Sequence, residues 1–378
     1  MLDDSFLDDP EALARADLHG LLRGAAEAGA RVRTAARHAT ESGLDGLQPE
    51  GRPRALLVAG PGPTASCAAD LLAAATGGSV PVRLLPATGR TAAPPGLRWT
   101  LPGWAGPLDL LFVLTPDGTE PGLTALVEQA YRRGCTVVAV SPPGAPLTES
   151  VTGVHGLPVP ITASPYEHAE PTLRPPGAPG ALWALLTPLL TLTDRLGLSH
   201  TPPEAIAALA DRLDRVAERC GPAIATYSNP AKSLATELAD ALPLLWSEGP
   251  VADAAARHFA TVLAALPGRP ALAAELPSAL TAHAALLVGD LAGGADEDAF
   301  FRDRLEEPQG LRARVVLLRE EEAGRDSAAA AARELAHAHG AALSELQPGE
   351  GSTTVEAAAE LIATTDFAAV YLTLTPTP

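Results

Sequence analysis

Four short apolar runs, each closed by Gly or Pro, dominate the first half of the chain: RALLVAGPGP, VPVRLLP, LDLLFVLTPDG and CTVVAVSPP. Runs that stay apolar on consecutive residues suit strands buried on both faces, because a half-exposed strand alternates. Residues 66–75 and 120–133 carry apolar positions at helical spacing between them, and GLPVPI adds a weaker strand. Strands alternating with helices in this way predict an α/β fold with a doubly wound parallel sheet, of the flavodoxin-like kind.

The pattern then restarts. Residues 10–40 carry Ala, Leu and Arg at helical spacing ahead of the first strand and are expected to pack outside its sheet. A Pro-rich loop over 165–179 and two helices, over 181–196 and 203–220, link the halves. TYSNPAKSLATELADAL opens the second half with Asn229 as helix cap and Pro230 at the first helical position, where its missing N–H costs nothing. LPLLWSEGP, HAALLVGD, ARVVLLRE and AALSELQ read as the second strand series, with helices over 251–266, 327–338 and 354–364. At 378 residues the chain exceeds one ordinary core, so two tandem domains are expected, over 1–200 and 201–378. Aromatic residues make up only 4% of a chain that is 47% hydrophobic, so both cores must pack through Ala, Leu and Val.

Charge narrows the partners. A formal net charge of −18 argues against nucleic acid and anionic membranes, both of which need clustered cations. Lysine occurs once, at Lys232, which the helix start places in a solvated first turn. Cys67, Cys135 and Cys220 lack metal-type spacing and read as reduced core thiols. The acidic opening MLDDSFLDDPEAL has no signal-peptide apolar run, and the longest apolar run, 181–192, contains Pro188 and is short for a bilayer. A cytoplasmic protein is the expectation. His337 and His339, two apart on one helix, face different ways, and no metal or nucleotide cofactor is indicated.

Two turns follow buried strands and precede helices: Gly60-Pro61-Gly62-Pro63-Thr64-Ala65-Ser66 and Thr115-Pro116-Asp117-Gly118-Thr119-Glu120. In open parallel sheets such turns present N–H groups to anions, so together they suggest one shared pocket, although each alone also reads as an ordinary structural turn. His258, and Tyr166 with His168, are isolated polar candidates that also read as core or surface contacts.

AGPGPTASCAADLL, VLTPDGTEPGLTALVEQAYRRGCTVVAVS, NPAKSLATELADALPLLWSEGP and DFAAVYLTL give the chain its resemblance to the SIS (sugar isomerase) fold, and within it to the bifunctional phosphoglucose/phosphomannose isomerase family. The resemblance implies two SIS-type domains, a homodimer, and a sugar phosphate held by hydroxyl and N–H groups of Gly62, Thr64, Ser66, Thr115, Gly118 and Thr119. Asp117 stands where the family has a second serine, and an ungapped reading puts Glu120 at its threonine; a one-residue gap restores Thr119 there. In the family an Asn-His-Asn-Glu segment carries the catalytic base; here it corresponds to Ala282-His283-Ala284-Ala285, leaving His283 for ring opening and Glu275 as a substitute base. The family's arginine corresponds to Gly180, with Arg174 displaced from it, and its C-terminal lysine has no counterpart. Three readings stay open: an isomerase of glucose or mannose 6-phosphate with rearranged residues, a non-catalytic binder of a sugar phosphate or related derivative, and a structural or regulatory dimer.

Overall fold

The structure, a computed structural model, describes residues 4–46, 51–91, 93–162, 178–288, 312–321 and 327–375. Arg174, Tyr166 and His168 lie outside these residues. The chain divides into two units: Leu18–Glu218 with Thr354–Ala359, and Met1–Asp17 with Arg219–Thr353 and Glu360–Pro378.

The first unit is built on strands β1 (Ala55–Ala59), β2 (Val82–Leu84), the two-residue pair β3 (Thr88–Gly89) and β4 (Leu97–Arg98), then β5 (Asp109–Leu114), β6 (Thr136–Ser141) and β7 (Leu157–Pro160). Its main sheet has the order β2-β1-β5-β6-β7 and is parallel throughout, with Ala59 beside Val113 and Leu111 beside Val137. Every residue of β1 and β5 is buried, as their unbroken apolar runs require. Leu57, Leu111, Val113 and Val137 pack on one face against Leu123, Leu126 and Val127 of the Pro121–Arg132 helix, with Trp99 in the same cluster. The Ala28–Glu41 helix packs against the long Ala181–Arg195 helix, and its Gly29 leaves room for Asp214 and the Ala210 carbonyl of the Pro203–Cys220 helix.

The second unit holds β8 (Ala241–Glu248), β9 (Leu272–Glu275), β10 (Arg312–Arg319) and β11 (Ala342–Leu346) in the parallel order β11-β10-β8-β9. Two readings change here. The run HAALLVGD does not supply a strand: Ala284–Leu287 is a 3-10 turn that drops Leu287 into the core, and 289–290 lie outside the described residues. The strand is β9 instead, four residues at the sheet edge with Leu272 and Glu275 exposed. Lacking β-branched residues and a buried face, it carries no strand signal in sequence.

Asn229 caps the Pro230–Leu238 helix as expected, its side chain accepting from the N–H groups of Ala231 and Lys232. Lys232, by contrast, is not solvated. It is fully buried, with Nζ donating to the carbonyls of Pro222 (2.8 Å) and Ile224 (2.7 Å), 3.8 Å from Asp8 and 5.6 Å over the Tyr371 ring. The chain over 222–224 turns the Pro222 and Ile224 carbonyls onto the helix start, where the ammonium donates to them.

The last helix runs past the expected end at 364, through DFAAVYLTL, as Thr354–Leu374. It is long and apolar enough to cross a membrane by length and composition, but 94% of its most apolar stretch is buried as a core helix. All three cysteines are free and buried.

Candidate functional site

In the first sheet the chain leaves β1 toward β2 on one side and leaves β5 toward β6 on the other. Neighbouring parallel strands whose connections diverge open a crevice at their carboxyl ends, the usual ligand position of doubly wound sheets. The two turns singled out from sequence leave β1 and β5 at this end, so Gly62, Thr64, Ser66, Thr115, Gly118 and Thr119 share one end of one sheet. Glu275 and His283 belong to the other unit.

Close approach of the turns requires glycine. A Cβ on Gly60 would lie 2.2 Å from the Leu114 carbonyl oxygen and 2.9 Å from the Ala65 Cβ. Neither neighbour is a flexible side-chain end, so Gly60→Ala is expected to destabilise the first unit by about 1–3 kcal/mol through overpacking. Urea unfolding of the two forms measures it, and equal midpoints would contradict the contact.

The first turn leads into the Gly62–Thr76 helix, whose cap residue Pro61 makes no side-chain hydrogen bond to the helix start. Gly62 takes a left-handed conformation (φ 71°), and Thr64 and Ser66 are half-buried in the first turns. This is a helix start with hydroxyls and N–H groups beside a crevice.

The second turn is arranged differently. Thr115 is fully buried, and its Oγ1 accepts the N–H of Asp117 (3.1 Å) and of Gly118 (2.9 Å). The same oxygen lies 2.9 Å from both carboxylate oxygens of Glu120, to which it donates its one proton. Glu120, 1% exposed, is the residue before the Pro121–Arg132 helix, and its side chain turns to Thr115 without a hydrogen bond to that helix start. Burial pushes its carboxyl above the usual range, opposed by hydrogen bonds from the backbone N–H of Glu120 and Thr119 and from Thr115. Thr119 is exposed, and Asp117 is half-buried.

Of the two residues carried over for catalysis, Glu275 is exposed at the end of β9, beside Ser247 of β8. His283 is buried, and its Nδ1 accepts the indole N–H of Trp246 at 2.9 Å. That bond fixes the proton on Nε2, and burial holds the imidazole below its ordinary pKa, so it is neutral. His258 pairs with Asp366 in the core at 2.8 Å.

Sequence reading missed the acids that end the second sheet's strands. Glu248, closing β8, accepts from Ser327 Oγ (2.8 Å) and the Ala328 N–H (2.7 Å) at the start of the helix that follows β10. Glu320, just after β10, accepts the Val251 N–H (2.6 Å) at the start of the helix that follows β8. Gly249 admits it at φ 100°, since a Cβ would lie 2.3 Å from the Glu320 Cδ. Arg319 is buried against Glu248, Gln347 and the Glu321 carbonyl. An acid between an apolar run and a helix start, as in WSEGP and LLREE, is the signal that marks them. Among the described residues no cluster of three His, Cys, Asp or Glu could hold a metal ion.

Residues 227–376 match the family model of the bacterial phospho-glucose isomerase C-terminal SIS domain. No curated protein matches the chain. Among solved structures, tagatose-6-phosphate ketose/aldose isomerase from Escherichia coli aligns with a TM-score of 0.57 at 16% identity, covering 94% of this chain and 91% of that one. The C-terminal domain of glucosamine-fructose-6-phosphate aminotransferase from Francisella tularensis aligns at 0.56 and 11% identity, covering 95% and 97%. A hypothetical protein from Thermus thermophilus aligns at 0.58 and 15%, covering 95% and 88%. At these identities the structures establish the shared fold.

Proposed function

We propose that this SIS-domain protein, which resembles the phosphoglucose isomerases, binds a carbohydrate derivative at the crevice between β1 and β5 and does not isomerise it. The observation that carries the second part is the 282–285 segment. Its one ionisable group is His283, buried, neutral and committed to Trp246. Aldose-ketose isomerisation moves a proton between neighbouring carbons and needs a base in reach of them. It also leaves an enediolate that a cation steadies. The one lysine is enclosed by backbone carbonyls in the second unit.

Binding is supported by the switch-point position of the crevice and by the half-buried hydroxyls of Thr64 and Ser66 beside the N–H groups of the Gly62–Thr76 helix start. Thr115, Gly118 and Thr119 form the facing turn. The ligand class is a sugar phosphate or a related derivative, and a homodimer is the assembly implied by the resemblance. A net charge of −18 supports a small-molecule ligand over nucleic acid or membrane.

Proton NMR of the protein with fructose 6-phosphate tests the reading. Saturation transfer to the sugar is expected without new anomeric signals of glucose or mannose 6-phosphate. Thr64→Ala is expected to weaken binding about tenfold, the worth of one hydrogen bond to a charged or strongly polar group. Turnover that disappears in Glu275→Gln would overturn the non-catalytic reading, and sugar contact unaffected by Thr64→Ala would place the ligand elsewhere.

A further inference from the structure

The second turn has the donors of an anion site but not their availability. Thr115 Oγ1, with its two incoming N–H groups and its single proton, has no capacity left once Glu120 is in place. Glu120 stands at the start of a 12-residue helix, where unpaired N–H groups favour negative charge. Its carboxylate is almost fully enclosed, so an external anion reaching the same donors would have to displace it or lie against it. Asp117 in the same turn adds a second acid.

The second unit repeats the device independently. Glu248 and Glu320 each fill the helix start that follows the other's strand. In the second unit, then, both helix starts hold a carboxylate of the chain, and in the first unit Glu120 takes the Thr115 hydroxyl of the second turn.

We infer that Glu120 is a built-in anion of the second turn, occupying the donors that would otherwise hold a ligand's phosphate, so that the crevice selects an unphosphorylated carbohydrate. This rests on the crevice between β1 and β5 being the binding site. A phosphate group adds no affinity when its donors are taken and two acids face it, whereas a polyol still finds the hydroxyls of Thr64 and Ser66.

The test compares fructose, fructose 6-phosphate and inorganic phosphate on the wild type, Glu120→Thr and Glu120→Gln, by calorimetry and by amide shifts of Thr115, Asp117 and Gly118. Wild-type protein is expected to bind fructose at least as well as fructose 6-phosphate and to show no shift of these amides with inorganic phosphate. Glu120→Thr frees the Thr115 hydroxyl and is expected to gain about tenfold or more for inorganic phosphate, the scale of charge-assisted hydrogen bonds. Glu120→Gln keeps the side chain's shape and part of its hydrogen bonding, so it reports the charge alone if the threonine variant does not fold. Phosphate moving the wild-type amides, or failing to move them in a folded variant, overturns the inference. Phosphate binding to the variant with neither sugar binding the wild type would keep Glu120 as the group that holds phosphate off the second turn, but would overturn the selection of an unphosphorylated carbohydrate together with the binding reading it rests on.

Discussion

Trp246→Ala is expected to lower the stability of the second unit by about 3–5 kcal/mol, the usual cost of removing a large aromatic side chain from a packed core. Trp246 is fully buried in β8, beside Leu317 of β10 and Ala274 of β9, in the cluster that includes Leu244, Val315 and Leu287. The substitution also removes the donor to His283. Trp246→Phe keeps most of the volume and loses only the N–H, so the difference between the two variants separates packing from the hydrogen bond.

The same variants change the response to acid. With a folded-state pKa below 6.5, His283 takes up a proton more readily in the unfolded chain. Its neutral form therefore contributes stability that is present above pH 6.5 and is lost as the pH falls toward the folded value. Solvating the imidazole in Trp246→Ala should flatten that slope. Urea midpoints from pH 7 downward measure it, and a slope unchanged in Trp246→Ala would show that the acid response comes from another group.

Lys232→Ala is expected to cost about 2–5 kcal/mol, because it removes the donor to the half-buried Pro222 and Ile224 carbonyls and a hydrogen bond from a charged group contributes roughly 1.5–3 kcal/mol. The removed four-carbon stem adds lost packing against Tyr371. Relief of the buried ammonium's desolvation works in the opposite direction; burial is what holds its pKa below the ordinary lysine value. Lys232→Met retains the stem and isolates the hydrogen bonds. A methionine variant as stable as the wild type would show that desolvation and hydrogen bonding cancel at this site. The Asp8 carboxylate is held mainly by the N–H and hydroxyl of Thr226, both at 2.7 Å, so the N-terminal residues are expected to stay attached in either variant. Limited proteolysis of residues 4–17 checks that.

The first sheet was legible because its three central strands, β1, β5 and β6, are buried on both faces, whereas the edge strands β2 and β7 are only partly covered. RALLVA, DLLFVL and TVVAVS need no partner to be recognised, and the Gly and Pro residues that close them are required by the turns themselves. The Asn229-Pro230 cap was legible for the same local reason. β9 was not, since an Ala-rich edge strand becomes a strand only by adding to β8. HAALLVGD misled because an apolar run records burial and not the backbone conformation that delivers it.

The candidate site divides along the same line. Residue order alone placed both turns at the carboxyl ends of strands, since a turn between a buried strand and a helix has no other place in a parallel sheet. The direction in which each side chain spends its hydrogen bonds is decided by neighbours distant in sequence or by the turn's final geometry. Thr115 reads as a ligand-facing hydroxyl until the backbone brings Glu120 onto it. Lys232 reads as a surface cation until residues 222–224 fold over it, and His283 as a catalytic imidazole until Trp246 of β8 takes its Nδ1. Periodicity and turn chemistry are short-range and are written in order along the chain. Burial and hydrogen-bond partnership depend on which segments meet, and only the tertiary structure decides that.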